Sequence, residues 1–215
     1  MTNRKTDMTP DSTTRALADA LTRRAPGDDR LAAVNAALLE RAENEGLVDI
    51  AYAQVDSPYG ELFLAATSRG VVALGLPNRP ADDMVQRLAA EVSPRIMEAP
   101  ARLDAPRREL DAYFEGKLRD FSVPVDWSLT RGFTDRALHV VAGIPYGRTL
   151  SYTEVADRAG NRKAARAAGT ACATNPIPLI VPCHRVLPAS GIPGNYGGGP
   201  EMKRSLLELE GSLPG

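Results

Sequence analysis

Cysteine, histidine and net charge are all scarce in this chain: 215 residues carry two cysteines, two histidines and a formal charge of -1. Two thiols, Cys172 and Cys183, are too few for a disulfide scaffold. Their eleven-residue separation, with only two histidines to help, resembles no zinc-ligand spacing, so no metal is expected. A charge near zero gives no whole-molecule field toward a polyanion, and any nucleic-acid face must be local. No stretch approaches the roughly 20 apolar residues needed to cross a bilayer, and the opening MTNRKTDMTP lacks the apolar centre of a secretory signal. The expected location is the cytoplasm, where thiols stay reduced and each cysteine must serve packing or chemistry. With 43% hydrophobic and 25% charged residues the composition is that of a folded globular protein. At roughly 150 residues per domain the length holds one large domain or two small ones.

No internal repeat is visible. Between Ser12 and Glu45 the chain is Ala-rich, and Leu17 and Leu21, then Leu31, Val34 and Leu38, fall at helical spacing around Pro26-Gly27, which predicts two short helices. From Asp49 the texture changes. Alternation through Ile50, Tyr52 and Gln54 runs into the turn residues Ser57-Pro-Tyr-Gly60, and two further apolar runs follow, Glu61 to Thr67 and Val71 to Leu76. This predicts an antiparallel meander. The stripes Val85, Leu88, Val92 and Leu110, Tyr113, Phe114 predict helices packed on that sheet.

Beyond the Phe121 to Trp127 segment the chain turns helical from Thr130 to the turn Pro145-Tyr-Gly147. Ser151-Tyr-Thr-Glu154 has the form of a capping box and predicts a short helix to about Ala159. Gly160-Asn161 breaks it, and Arg162 to about Thr174 reads as a second helix, at helix-turn-helix spacing. From Arg131 to Arg185 eight basic residues face three acidic ones, a local charge of +5 against -6 for the rest of the chain. Such a segment suits phosphate binding, though a solvated helix pair fits as well. The second helix carries Ala164, Ala165, Ala167, Ala168, Gly169 and Ala171, with Arg166 as its long side chain. That face either packs on a neighbour or brings the helix backbone close to a shallow groove.

Leu179-Ile-Val-Pro-Cys183-His184-Arg185-Val186 sets a thiol at the end of an apolar run beside an imidazole and a guanidinium. The residue types suit an activated thiolate, and equally a buried structural cysteine. The wider order is more specific: Asn175-Pro176, Pro182 to Val186, Gly194-Asn195-Tyr196 with glycines after it, Lys203, and Leu206-Leu207 before Glu210-Gly211. This ordered set, with Ser151-Tyr152 and Ala164-Ala-Arg166-Ala, resembles the O6-alkylguanine-DNA alkyltransferases, or methylated-DNA–protein-cysteine methyltransferases. The resemblance is strong over Phe133 to Gly211, weaker from Asp49, and leaves residues 1 to 48 outside it.

The resemblance implies an α+β fold: a small N-terminal α/β domain with a short antiparallel sheet (49–127), then a mostly helical C-terminal domain (128–215) with a winged-helix-like helix-turn-helix. Residues 1–48 would be a helical extension of unknown role. It implies single-turnover transfer of an alkyl group from O6-alkylguanine in duplex DNA to Cys183, by a monomer without cofactor or metal. His184 would take the thiol proton through a water, Glu210 would orient the imidazole, Asn175 would brace the turn, and Tyr152 would contact the flipped nucleotide and donate a proton as guanine leaves. Arg166 would fill the gap left by the extruded base from the minor groove. Ala165, Ala167, Gly169, Thr170, Arg162 and Ser151 would complete the DNA face. Tyr196, Gly197, Gly198 and Val186 would line the substrate pocket. Gly197 stands where some members carry serine, which bears on alkyl preference, and Cys172 reads as small packing.

Two other readings fit parts of the pattern. A helix-turn-helix regulator with a structural Cys-His pair would need several base-reading side chains on the second helix, where alanines and a glycine stand. A thiol hydrolase would need an oxyanion hole and a water path for turnover.

Overall fold

The computed structural model describes residues 45–213 together with Ala37, Arg41 and Ala42. The chain divides into two units, Met1–Glu45 and Gly46–Gly215. In the first, Arg41 and Glu45 form an exposed ion pair at 2.8 Å. Apart from the three residues named, the helices expected between Ser12 and Glu45 lie outside the described residues.

In the second unit the expected meander forms as β1 (Ile50–Val55), β2 (Leu62–Thr67) and β3 (Gly70–Gly75), paired antiparallel in sequence order. A fourth strand, β4 (Ile96–Glu98), adds parallel to β1, so the sheet is mixed, with order β3-β2-β1-β4. Three residues are too few for alternation to show in the sequence, and parallel pairing needs a crossover, here α1 (Ala81–Glu91). That helix buries Met84 and Leu88, and α2 (Asp104–Phe114) buries Leu110 and Tyr113.

The helical part comprises α3 (Gly132–Ala142), α4 (Tyr152–Arg158), α5 (Ala165–Ala173) and α6 (Pro200–Leu209). Helices α4 and α5 are the expected helix-turn-helix. The second begins later than its pattern indicates, because Asn161 accepts from the Lys163 amide and sets Arg162–Ala164 into a 3-10 turn. One hydrophobic core joins sheet and helices, running from Leu62 and Leu74 through Tyr113, Leu138 and Ala168 to Leu206, and it includes Cys183. Among the described residues, no helix is long and apolar enough to cross a membrane.

A two-residue parallel ladder fixes the functional half. β5 (Leu150–Ser151) pairs with β6 (Val186–Leu187), which places the start of α4 beside the chain just after Cys183. The capping box is complete: Ser151 Oγ accepts from the Glu154 amide at 3.2 Å, and Glu154 accepts from the Ser151 amide at 2.7 Å. Ser151→Ala removes the Oγ acceptor, leaves the Glu154 amide unsatisfied and should cost about 1 kcal/mol of unfolding free energy, read as a lower urea midpoint at unchanged slope.

Candidate active site

The segment between α5 and Cys183 is a buried turn held by one side chain. Asn175 donates to the Val181 carbonyl at 2.8 Å and accepts from the Ile177 amide at 3.0 Å. Leu179 within it has a φ of 72°, a conformation that a bulky residue holds only when its surroundings impose it. Leu179 is fully buried, so packing supplies that constraint. The turn delivers Cys183, His184 and Arg185 as one turn of 3-10 helix, all buried.

Below this turn lies a carboxylate. Glu210, just past the end of α6, accepts from His184 Nε2 at 2.9 Å and from one edge of the Arg185 guanidinium, Nε to Oε2 and Nη2 to Oε1, each at 2.9 Å. Burial alone would raise its pKa, but the hydrogen bonds from His184 and Arg185 carry it down to about 2. The ionised carboxylate can only accept, so Nε2 of His184 carries the proton and Nδ1 keeps its lone pair. That Nδ1 is buried with no hydrogen-bond partner in the structure. Burial holds the imidazole pKa below its usual value, against the pull of Glu210, so the ring is neutral at pH 7. Burial likewise pushes the Cys183 thiol up, opposed by Asn175 and the Lys203 charge. The resting pair is thus a thiol beside a neutral base, and attack requires a proton to leave sulfur.

Tyr113 of α2 joins this network from the other half of the fold. Its hydroxyl donates to Glu210 Oε1 at 2.7 Å and lies 3.3 Å from His184 Nε2. In the sequence it is simply one member of an apolar stripe; the available signal is that a buried tyrosine hydroxyl needs a polar partner. Arg185 and Lys203 belong to the motif read from the sequence, but their roles do not show there: Arg185 clamps Glu210, and the buried Lys203 ammonium donates to the Val186 carbonyl at 2.7 Å.

Cys183 opens into a cavity of about 450 Å³ whose walls include Tyr152, Gly169, Cys172, Tyr196, Gly197 and Lys203. The expected packing residue Cys172 therefore stands on the wall of this cavity, its thiol pushed up to about 12, mainly by burial. Val186 and Gly198 are not among the lining residues. Val186 is fully buried in β6, and a side chain on Gly198 would meet Met202 Sδ at 2.2 Å. A side chain on Gly197 would press on Leu76 at 3.3 Å, so its glycine permits close packing against the sheet. Arg162, Arg166, Ala167 and Thr170 are exposed on the helix-turn-helix, while Ala168 and Ala171 are buried. Ala165, Gly169 and Ser151 are partly exposed, and the Ser151 oxygen already serves the cap.

Two consequences are measurable. Glu210 has its folded pKa depressed, so its contribution is complete above the usual 4.5 and is lost as pH falls toward about 2. His184 is also depressed, which penalises the fold as pH falls below the usual 6.5. The urea midpoint should therefore decline from pH 7 to pH 4, and His184→Gln should flatten the part between pH 7 and 5. Tyr113→Phe removes a hydrogen bond to a buried charge and should cost about 1.5 to 3 kcal/mol at pH 7, measured in the same way.

Comparison with known proteins agrees with this geometry. Residues 50–127 match the family description "6-O-methylguanine DNA methyltransferase, ribonuclease-like domain", and residues 132–212 match "6-O-methylguanine DNA methyltransferase, DNA binding domain". A methylated-DNA–protein-cysteine methyltransferase of Mycobacterium tuberculosis is 42% identical over 163 residues, 76% of this chain and 93% of that one. An inducible counterpart from Bacillus subtilis is 35% identical over 149 residues, 69% and 83% of the two chains. The crystal structure of the Mycobacterium tuberculosis O6-methylguanine methyltransferase superposes with a TM-score of 0.65 at 39% identity, covering 77% of this chain and 95% of that one. The OGT of the same organism in complex with DNA gives 0.64 at 40% identity, covering 75% and 93%. The matches span both halves of the described fold and the whole Cys183 site, and the chain belongs to the 6-O-methylguanine DNA methyltransferase family.

Proposed function

We propose that the protein repairs DNA by direct reversal, moving the alkyl group of an O6-alkylguanine in duplex DNA onto Cys183 in one displacement that consumes the protein. The observation that carries this reading is the buried Cys183 thiol beside a neutral His184 whose Nε2 is fixed by Glu210, at the foot of a cavity bordered by helix-turn-helix residues. The sulfur–carbon bond forms as the carbon–O6 bond breaks, and the bonding pair leaves with guanine. The thiol proton passes through a water to His184 Nδ1, and Tyr152, on the cavity wall, donates a proton to the departing base. Glu210 stabilises the imidazolium formed in that step. Asn175 keeps the turn, and so the sulfur, in place.

A stacked base cannot present O6 to a buried sulfur, so the nucleotide must be extruded at a cost of a few kcal/mol. Arg166, exposed on α5 with small neighbours, would enter from the minor groove and stack in the vacated space. Arg162 and Thr170 would meet phosphates, and the Ser151 hydroxyl, whose oxygen already accepts in the cap, keeps its hydrogen for one. The protein would act as a monomer in the cytoplasm, without a cofactor.

Incubation with duplex carrying O6-methylguanine, followed by intact and peptide mass measurement, tests the reading. One methyl group per protein on the Cys183 peptide, with guanine restored, is expected. Turnover beyond one equivalent would indicate a hydrolase, and binding without modification would indicate a regulator. Cys183→Ser should abolish transfer while DNA binding persists. Arg166→Ala should slow transfer from duplex by on the order of tenfold or more, since the finger offsets the cost of flipping. The same variant should react with free O6-benzylguanine at nearly the normal rate, because that substrate needs no flipping.

A further inference from the structure

The two oxygens of Glu210 are unevenly shared. Oε2 accepts from Arg185 Nε at 2.9 Å, whereas Oε1 accepts from Tyr113 at 2.7 Å and from His184 Nε2 and Arg185 Nη2 at 2.9 Å each. A carboxylate oxygen offers about two lone pairs, so each donor on Oε1 weakens what the others receive. The Tyr113 hydroxyl and the His184 ring therefore compete for one atom. Tyr113 is fully buried, and burial beside Glu210 pushes its phenol well up, so it remains a proton donor at every pH the fold survives.

This competition has a sign. Glu210 titrates only near about 2, so over the range in which His184 gains a proton it is a constant negative charge. The more of that charge Oε1 offers to Nε2–H, the more the imidazolium is favoured over the neutral ring. Tyr113 draws on the same charge and so opposes protonation. Its oxygen also lies 3.3 Å from Nε2, a position from which it can accept and act the other way. The 2.7 Å bond wins, because hydrogen bonds to a charge are roughly twice as strong as neutral ones and 3.3 Å is longer than the usual N–H···O contact. The other charges facing the ring are Arg185, next in the chain, and Lys203 of α6, both of which disfavour the imidazolium. Cys183 precedes the ring, and Tyr196 stands edge-on to it at 6.4 Å. Helix α3 packs on the same turn, but its Asp135, Arg136 and His139 are not buried. Tyr113 acts on the shared oxygen without carrying a charge of its own.

We propose that Tyr113 is a positioning residue for the transfer step: by occupying part of Glu210 Oε1 it keeps His184 in the neutral form that can receive the thiol proton. The inference deepens the transfer reading given above and rests on it. Tyr113 is not on the wall of the substrate cavity and acts through Glu210, from the sheet-bearing half of the chain. No proton passes through it. The proton that leaves the Cys183 sulfur ends on His184 Nδ1, and Tyr113 keeps its own.

Single-turnover transfer from free O6-benzylguanine to the full chain, followed across pH, tests this without DNA binding entering, with circular dichroism confirming the fold at each pH. Protonation of the base makes the rate fall on the acid side. Tyr113→Phe should move the midpoint of that fall upward by about half a unit to one unit, so that its deficit grows toward acid and reaches roughly three- to tenfold below the midpoint. Replacement of Tyr113 by 3-fluorotyrosine, a stronger donor in nearly the same space, should move the midpoint down. Nitrogen NMR of His184 should show the same two displacements. If Tyr113→Phe does not fold, the fluorotyrosine protein decides alone: a lowered midpoint supports the proposal and an unmoved one overturns it. A uniform loss of rate with the midpoint in place would make Tyr113 a packing residue and overturn the proposal, as would shifts in the reverse directions. Absence of benzyl transfer by the wild type at every pH would remove the transfer reading and this proposal with it.

Discussion

The Glu210 carboxylate, closed off from water and shared by Arg185, His184 and Tyr113, is the interaction on which the rest of the site depends. A carboxylate taken out of water is costly unless its lone pairs are filled, and here three donors fill them. The consequence runs outward. Because the carboxylate accepts, His184 must donate from Nε2, and its Nδ1 is left as the base. Because His184 and Arg185 directly follow Cys183 in the chain, satisfying Glu210 also fixes the 3-10 turn that holds the thiol. Loss of the carboxylate would strand a buried guanidinium, a far larger penalty than loss of an exposed pair.

The fold serves this centre from both halves. Tyr113 arrives on α2, beyond the sheet, whereas Glu210 follows α6 at the far end of the chain. The turn at Gly147, with a φ of +72°, lies so close that a side chain there would meet the Glu210 carbonyl at 3.0 Å. The β5–β6 ladder ties the same region to the first turn of α4, so the helix-turn-helix and the thiol are separated by a few residues of paired strand.

What the sequence discloses and what it hides follow from the range of the forces involved. The capping box at Ser151 and Glu154, the three-strand meander and the helix-turn-helix are set by neighbours within a few residues, and all are present, with the second helix of the pair starting at Ala165 rather than Arg162. Cys183 and His184 are adjacent, and Glu210 and Asn175 are legible through resemblance to a family. Tyr113 is not, because the carboxylate it donates to lies 97 residues away and its position in a helical stripe is equally that of a core residue. Strand β4 escapes because three residues carry no period. Gly197 and Gly198 read as pocket residues, yet their lack of side chains is required by Leu76 and Met202, contacts that only the folded chain creates.

His184 rests as a neutral ring with its proton on Nε2 and its lone pair on Nδ1, and the chemistry at Cys183 follows from that state. Nitrogen NMR of protein labelled at its two histidines measures this directly, with His139→Gln identifying the remaining signal. The Nε2–H tautomer is expected at pH 7, with protonation in the folded state displaced below the usual 6.5. An imidazolium at pH 7, or a ring carrying its proton on Nδ1, would contradict it.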